Sequence, residues 1–141
     1  MKILLYPVIS CLITFNQPVT PEVINDYRDC KKIEFQVNSV SHWQPLIHKY
    51  FREEDVIKVS RIMFCESSGR SKAVGYNTNG TNDVGLMQIN DSTYDWISQK
   101  LGWYGDRKDP DFNLKMSSWL FYKSGEHHWN SSAKCWKDRN D

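Results

Sequence analysis

The chain has 141 residues, of which 40% are hydrophobic, 25% charged and 13% aromatic. This length fits a single domain, and the composition excludes collagen-like, low-complexity and wholly disordered proteins. Eighteen Lys and Arg against seventeen Asp and Glu leave a formal net charge of +1. Since the basic residues are scattered, we expect no nucleic-acid partner. No apolar run reaches the roughly 18 residues of a membrane-spanning helix, so we expect no integral span.

The amino terminus has some features of an export signal. Lys2 precedes a mostly apolar stretch over residues 3–15, which has the charge and length of a signal-peptide core. Pro7 and Cys11 interrupt this stretch, and no small-x-small cleavage site follows before Gln17. The sequence therefore supports cleavage and retention of the segment equally.

The first third of the chain is predicted to be an arm. Residues 18–30 are polar, contain two prolines and have no clear period, which indicates a linker or an irregular segment. Residues 31–38 alternate weakly, as a short strand or extended connector would. Residues 43–51 are amphipathic and fit a short helix. We therefore divide the chain into a possible signal segment plus arm over 1–52 and a main domain over 53–141.

The strongest helical pattern begins with three acids at residues 53–55, which suit the positive end of a helix dipole. Val56, Val59, Met63 and Glu66 then follow at spacings of three, four and three. Side chains at these spacings share one face of an α-helix. An acid thus lies on an otherwise apolar helix face.

The acid on this face, Glu66, is the informative residue. Burial disfavours a charged carboxylate, so the pKa of Glu66 should rise and let it hold a proton near neutral pH. Asp83, on or beside a polar hairpin, should stay ionised. Two carboxylates in such opposed environments can cleave a glycosidic bond. Ordinary roles compete with this interpretation: Glu66 could be a solvated helix end or a partner of Arg61 or Arg70, and Asp83 could cap a turn.

The remaining elements alternate between turns and helices. Asn79-Gly80 is a strong turn signal between polar flanks and predicts a short hairpin. A helix is predicted over residues 92–101 with Ser92 as its N-cap. Another is predicted to start after Asp109-Pro110 and to end near Ser124-Gly125. The sum is an α+β fold that is predominantly α-helical, with one small hairpin.

Three segments together resemble a known superfamily. They are CESSGR at residues 65–70, DVGLMQIN at residues 83–90 and DPDFNL at residues 109–114. The segments are similar to the Glu-Ser, Gly-Leu-Met-Gln and Asp-Pro-x-x-Asn signatures of the lysozyme-like superfamily, and most of all to soluble lytic transglycosylases. The resemblance covers about residues 56–136. It implies a lysozyme-like fold with the hairpin next to the active-site cleft.

The resemblance implies cleavage of peptidoglycan between N-acetylmuramic acid and N-acetylglucosamine. Glu66 would protonate the leaving oxygen and then take the proton from the sugar's own hydroxyl, which closes an anhydro ring. Gln88 and Asn90 fall where the family lines its sugar-binding cleft. Ser67 and Tyr76 complete the predicted substrate-binding residues. The alternative for Gln88 and Asn90 is a hydrogen-bonding role in the corner between hairpin and helix.

Asp83 leaves a second mechanism open. Residues 77–83 also resemble the hairpin of animal-type lysozymes, in which the last Asp is the second catalytic carboxylate. Asp83 in that role would stabilise or trap the oxocarbenium-like centre and give hydrolysis with retention. The eight-cysteine framework of those lysozymes is absent, which favours the transglycosylase branch. A domain that binds glycan or anchors an assembly without turnover is a further alternative.

The chain has four cysteines, at positions 11, 30, 65 and 135, which allow three connectivities of two bridges. The resemblance implies the pair Cys65–Cys135, since similar domains join a Cys before the catalytic Glu to one in a Trp-rich tail. Cys30 then has no assigned partner unless Cys11 is retained. Disulfides and a cell-wall substrate imply an extracellular, periplasmic or virion-associated location.

The tail contains a weak metal pattern. Adjacent rings such as those of His127 and His128 rarely converge on one ion, even with Cys135 nearby, so we expect no metal site and no cofactor. Several tryptophans could stack on sugars, although most are expected in the core. These are Trp96, Trp103, Trp119 and Trp129. The expected partners are peptidoglycan glycan strands and, beyond them, a cell-wall, secretion or virion assembly partner.

Overall fold

The structure is a computed structural model, and it describes Cys11 and residues 19–138. Most of the possible signal segment lies outside these described residues. The helices in the described part are α1 (Pro21–Ser39), α2 (Gln44–Tyr50), α3 (Val56–Ser67), α4 (Asp91–Leu101), α5 (Pro110–Ser124) and α6 (Ala133–Trp136). The strands β1 (Val74–Tyr76), β2 (Asn82–Val84) and β3 (Ile89–Asn90) form one antiparallel sheet in the order β1-β2-β3. Short 3-10 helices occupy Ser41–Trp43, Glu53–Asp55 and Glu126–Ser132. The predominantly α-helical α+β prediction is confirmed.

Helix α1 occupies the region that the sequence predicted as a linker over residues 18–30 and a strand over residues 31–38. Both interpretations are wrong. Thr20 caps the helix, since its Oγ1 accepts a hydrogen bond from the backbone N–H of Val23 at 3.3 Å. Pro21 stands in the first turn, where its missing N–H has no intrahelical partner to lose.

The weak sequence pattern of α1 has a physical reason. Only Gln36 and Val37 are fully buried within the helix, so its apolar stripe is too narrow to show a clear period. Packing against α3 supplies the contacts that hold it. A disulfide also joins Cys30 in this helix to Cys11, which gives Cys30 the partner that the sequence left unassigned.

One hydrophobic core joins the early and late parts of the described chain. Val40, Ile47 and Phe51 belong to the same buried cluster as residues of the later helices and of the turn between β2 and β3. Those later members include Met63, Leu86, Met87, Ile97, Leu114, Met116 and Leu120, each 1% exposed or less. Residues 40–51 therefore pack on the same core that supports α3 and α5.

The predicted hairpin is confirmed, and a short third strand joins it. Asp83 on β2 lies opposite Gly75 on β1 and opposite Asn90 on β3. Residues directly opposite each other share a face of a sheet, so these three lie on one face. Val84 and Ile89, on the other face, are buried. The third strand has only two residues, too few for an alternating pattern to predict it.

A polar corner fixes the chain between β2 and β3. The side chain of Asn113 in α5 is fully buried; its Oδ1 accepts from the N–H of Met87 at 3.0 Å. Its Nδ2 donates to the carbonyls of Val84 at 3.0 Å and Arg107 at 2.9 Å. Gly85 has a φ of +86°, and an added Cβ there would lie 2.2 Å from the carbonyl oxygen of Arg107. The corner therefore requires glycine at this position.

The helices that follow the sheet begin with side-chain caps. Asn90, not Ser92, caps α4: its side chain accepts from the N–H of Ser92 at 3.0 Å, so the predicted cap was wrong by two residues. Asp109 caps α5 by accepting from the N–H of Phe112 at 2.8 Å. Within the range 19–138, the structure has no helix that is both long and apolar enough to cross a membrane.

Candidate active site

A cleft opens between the end of α3, the sheet and the tail that contains Glu126–Ser132. Its wall includes Glu66, Asp83, Gln88, Asn90, Thr93 and His128. Both predicted catalytic carboxylates thus face one cleft, together with two of the predicted substrate-binding residues. Ser67 and Tyr76 do not line it.

Glu66 is a half-buried carboxyl in the last turn of α3. Its burial is the largest influence on its pKa and raises it above the ordinary value. The negative charge of Asp83 raises the pKa of Glu66 further, whereas a hydrogen bond from Ser132 lowers it. A carboxyl whose pKa is raised holds its proton closer to neutral pH, which suits a general acid.

Ser132 is the direct partner of Glu66. The Ser132 Oγ donates to Oε1 of Glu66 at 2.5 Å, and it also lies 3.1 Å from the carbonyl oxygen of Trp129. The indole Nε1 of Trp136 donates to the same Oγ at 3.1 Å. A hydroxyl has one hydrogen, so Ser132 can donate to only one acceptor at a time. It can donate to the ionised Glu66; when Glu66 is protonated and donates to Ser132, the hydroxyl can donate to the carbonyl of Trp129. The arrangement accommodates both protonation states of the acid.

Nothing in the sequence marks Ser132. It lies 66 positions after Glu66, in a tail without a clear pattern, and only the folded chain brings the two together. The tail is also linked covalently to α3, because a disulfide joins Cys65 to Cys135. This is the pair that the resemblance implied. This bridge places the tail directly beside the residue that precedes Glu66.

Asp83 is held on the cleft face of the sheet by two amide side chains. Its Oδ1 accepts from Nδ2 of Asn90 at 2.7 Å, and its Oδ2 accepts from Nδ2 of Asn77 at 2.9 Å. The residue opposite on β1 is Gly75, which has no side chain to cover the carboxylate. Asp83 is therefore oriented and accessible from the cleft.

The amide groups of Gln88 and Asn90 are occupied by the protein itself. Nε2 of Gln88 donates to the carbonyls of Ala73 at 3.3 Å and Gly85 at 2.9 Å. Nδ2 of Asn90 donates to Thr81 at 2.9 Å as well as to Asp83, while its Oδ1 caps α4. Both residues thus have the hydrogen-bonding role in the corner that was the alternative to substrate contact.

The substrate-binding roles predicted for Ser67 and Tyr76 need correction. Ser67 is 1% exposed, and its hydroxyl donates to the carbonyl of Leu86 at 2.7 Å, so it is closed to a ligand. Tyr76 lies opposite Asn82 on the sheet face away from Asp83, because successive residues of a strand point to opposite faces. It is 84% exposed but does not reach the cleft.

The two arginines that could have neutralised Glu66 are engaged elsewhere. Arg61 donates through Nε to Gln36 at 2.8 Å and pairs with Asp138 at 2.9 Å. Arg70 donates through Nε to the carbonyl of Ser67 at 3.0 Å. The contacts of these two arginines therefore do not support an ion pair of either one with Glu66.

One member of the histidine pair, His128, lies in the wall of the cleft, which the sequence did not predict. His128 lines the cleft, and its ring lies 4.1 Å from that of His127 between centroids. Partial burial, followed by the proximity of His127, lowers the pKa of His128. Over Cys11 and residues 19–138, no group of three or more His, Cys, Asp or Glu side chains is placed to hold a metal ion.

The comparisons with known proteins agree with this geometry at the family level. A protein-family model described as "Transglycosylase SLT domain" matches residues 47–135, more than half of the chain. No curated protein and no solved structure matches the chain at a significant level. The matched region contains α3 with Glu66, the complete sheet and α5. The chain therefore belongs to the transglycosylase SLT domain family, whose fold is lysozyme-like.

Proposed function

We propose that this chain is a lytic transglycosylase that cleaves peptidoglycan between N-acetylmuramic acid and N-acetylglucosamine, with Glu66 as both acid and base. One observation carries the proposal: Glu66 faces a cleft, and burial raises its pKa. Family membership supports peptidoglycan as the substrate class. The assignment of Glu66 and of the cleaved bond goes beyond the family match and rests on the site.

The proposed reaction uses one carboxyl twice. Protonated Glu66 gives its proton to the glycosidic oxygen, and the bond from that oxygen to the anomeric carbon of the muramyl sugar breaks. The sugar's own hydroxyl then bonds to this carbon and passes its proton to the Glu66 carboxylate. The products are an anhydro-muramyl end and a free hydroxyl on the leaving sugar, and Glu66 ends protonated as it began.

Ser132 would assist the ionised stage of this cycle. After Glu66 has given up its proton, the Ser132 hydroxyl can donate to the carboxylate oxygen that it contacts. A hydrogen bond to an ionised acceptor is stronger than one between neutral groups. The donor therefore stabilises Glu66 in the form that accepts the second proton.

A second candidate function follows from the place of Asp83. Its carboxylate lines the same cleft and is oriented by Asn77 and Asn90. In a lysozyme-type hydrolase, Asp83 would stabilise or trap the oxocarbenium-like centre until water attacks it. Water would then add a reducing end in place of the anhydro ring.

The proposed setting is outside the cytoplasm. Peptidoglycan lies there, and the bridges Cys11–Cys30 and Cys65–Cys135 suit an oxidising compartment. In this setting the chain would act in a cell wall, a secretion apparatus or a virion, together with an assembly partner there.

Digestion of purified peptidoglycan, followed by mass spectrometry of the released fragments, tests the proposal. The comparison needs the wild type, Glu66→Gln and Asp83→Asn, each shown to be folded by circular dichroism. Anhydro-muramyl ends from wild type and Asp83→Asn, but not from Glu66→Gln, support the transglycosylase. Reducing ends that incorporate solvent oxygen and need Asp83 support the hydrolase. Folded wild-type protein without products would contradict both and favour a glycan-binding module.

A further inference from the structure

A second and larger groove lies on the outer side of α5. We call it the aromatic groove; besides Ser118, its lining consists of Tyr50, Trp103, Lys115, Trp119, Tyr122 and Lys123. Its volume is about 550 Å³, within the range of 300–1,000 Å³ that is usual for ligand sites. The cleft at Glu66 offers about 80 Å³, so a polymeric glycan needs most of its contacts elsewhere.

The aromatic groove follows from the two faces of α5. Residues 115, 119, 122 and 123 recur at spacings of four, three and one, so they lie on one side of the helix. The opposite side carries the buried residues Asn113, Leu114, Met116, Ser117 and Leu120. Tyr50, Trp103 and Trp119 also pack against this core and are only partly buried, so part of each ring faces the groove. Tyr122 is 40% exposed. An apolar patch at the surface usually serves binding.

An aromatic surface connects this groove with the cleft at Glu66. Thr93 on α4 and Leu120 on α5 line the cleft. Trp96 follows one helical turn after Thr93 and is 44% exposed. Its ring contacts that of Trp119, with 5.4 Å between centroids, and Trp119 already lines the aromatic groove. A strand that leaves the cleft along α4 would therefore meet Trp96 and then the groove.

The groove also carries positive charge. Nζ of Lys115 lies 4.2 Å from the centre of the Trp103 ring, and Lys123 lines the groove about two helical turns further along α5. In the described chain, neither lysine has a carboxylate within ion-pair distance. The nearby carboxylate of Asp111 is hydrogen-bonded to Lys49 and Tyr50, and the charge of Lys115 helps to lower its pKa. The groove thus combines aromatic rings with ammonium groups, and a cation of the chain already lies over one face of the Tyr50, Trp103 and Tyr122 rings.

We infer that the aromatic groove is a second binding site for peptidoglycan, which holds a strand away from the bond that is cleaved. The flat rings suit the apolar faces of sugars, and the two lysines suit the carboxylates of the peptides attached to the strand. The inference rests on the proposed function for the class of ligand. It separates binding of the polymer from the chemistry at Glu66.

Cosedimentation with insoluble peptidoglycan tests the inference in the full chain carrying Glu66→Gln, so that no strand is cleaved during the measurement. Into this background we would introduce Trp103→Ala or Lys115→Glu. The matched control is Tyr104→Ala, because Tyr104 is an aromatic residue beside Trp103 that is 71% exposed and does not line the groove. We expect both groove variants to weaken binding about tenfold, as loss of a good aromatic or charged contact would, and the control to bind normally.

Unchanged binding by both groove variants would overturn the inference. If their sedimentation coefficient in solution is also unchanged, the Glu66 cleft binds the strand alone. If it changes, the groove is an interface between protein chains. Lys115→Glu removes no core contact, so it keeps the test valid if Trp103→Ala unfolds.

The outcome is independent of the digest that tests the proposed function. Weaker binding by the groove variants, with no products from the wild type, would support the second binding site and contradict the proposed enzyme activity. Products from the wild type, with normal binding by the groove variants, would support the activity and contradict the second binding site.

Discussion

The Ser132 hydroxyl lies 2.5 Å from Oε1 of Glu66, although the two residues are 66 positions apart. The disulfide between Cys65 and Cys135 brings their chain segments together. This hydrogen bond lowers the pKa of Glu66, whereas burial and the charge of Asp83 raise it. The protonation of the acid therefore depends on opposing contacts that can be removed one at a time.

Removing the Ser132 hydroxyl should raise the pKa of Glu66, because the ionised carboxylate loses its donor. Glu66 must be protonated to start the proposed reaction, so the rate falls as the pH rises through its pKa. Ser132→Ala should move this decline in kcat to higher pH, and Ser132→Thr, which keeps a hydroxyl, should leave it near the wild-type position. A decline at the same pH in Ser132→Ala would mean that the bond has no electrostatic effect on the acid.

Neutralising Asp83 should have the opposite effect. Its charge raises the pKa of Glu66, so Asp83→Asn should move the high-pH decline in kcat to lower pH. The new amide cannot accept from both Asn77 and Asn90 as the carboxylate does, and we expect a stability loss of about 1 kcal/mol. Asp95→Asn, at an exposed acid of α4, is the control for general charge effects. A shift in the same direction as Ser132→Ala would contradict the assigned electrostatics.

Glu66 should also make stability depend on pH. Its pKa is higher in the folded chain than the ordinary 4.5, so the native state holds the proton more tightly than the unfolded state. The resulting stability is present in full below pH 4.5 and is lost as the pH rises through the folded pKa. Glu66→Gln removes this loss and still offers an acceptor to Ser132. Its Tm should match the wild type at acidic pH and exceed it at pH 8, in thermal scans across that range; a lower Tm at pH 8 would refute the burial argument.

Two glycines with positive φ provide a matched pair for the polar corner. Gly80 has a φ of +83° and open space where a Cβ would be, whereas at Gly85 the Cβ would clash with Arg107 and Asn113. Gly80→Ala should cost only the left-handed backbone penalty, about 1–2 kcal/mol. Gly85→Ala should cost several kcal/mol more, since buried atoms must move. Urea unfolding would measure both, and equal losses would show that the corner is not tightly packed.

Local sequence patterns predicted the elements that local forces determine. The hydrophobic period of α3, the Asn79-Gly80 turn and the Asp109-Pro110 start of α5 each depend on residues within a few positions. The fold class followed from these elements together with the family resemblance. The sequence left open whether Asp83 faces the cleft, which it lines together with Glu66.

Contacts across long chain separations were not predictable in this way. Helix α1 depends on packing against α3, and its own period is weak. Ser132 reaches Glu66 only through the folded tail. Ser67 illustrates the opposite error: it was predicted to bind substrate, but its side chain is buried and its hydroxyl donates to the carbonyl of Leu86.

The contacts of Gln36 show that the folded domain extends to residues before the family match. The family match starts at residue 47, yet Gln36 accepts from the Nε of Arg61 at 2.8 Å and donates to the carbonyl of Cys135 at 3.0 Å. Arg61 is only 5% exposed, so a chain cut at residue 47 would leave its guanidinium without this acceptor. The same cut would remove Val40 from the core cluster. The stretch that sequence similarity outlines is thus shorter than the stretch that must unfold together.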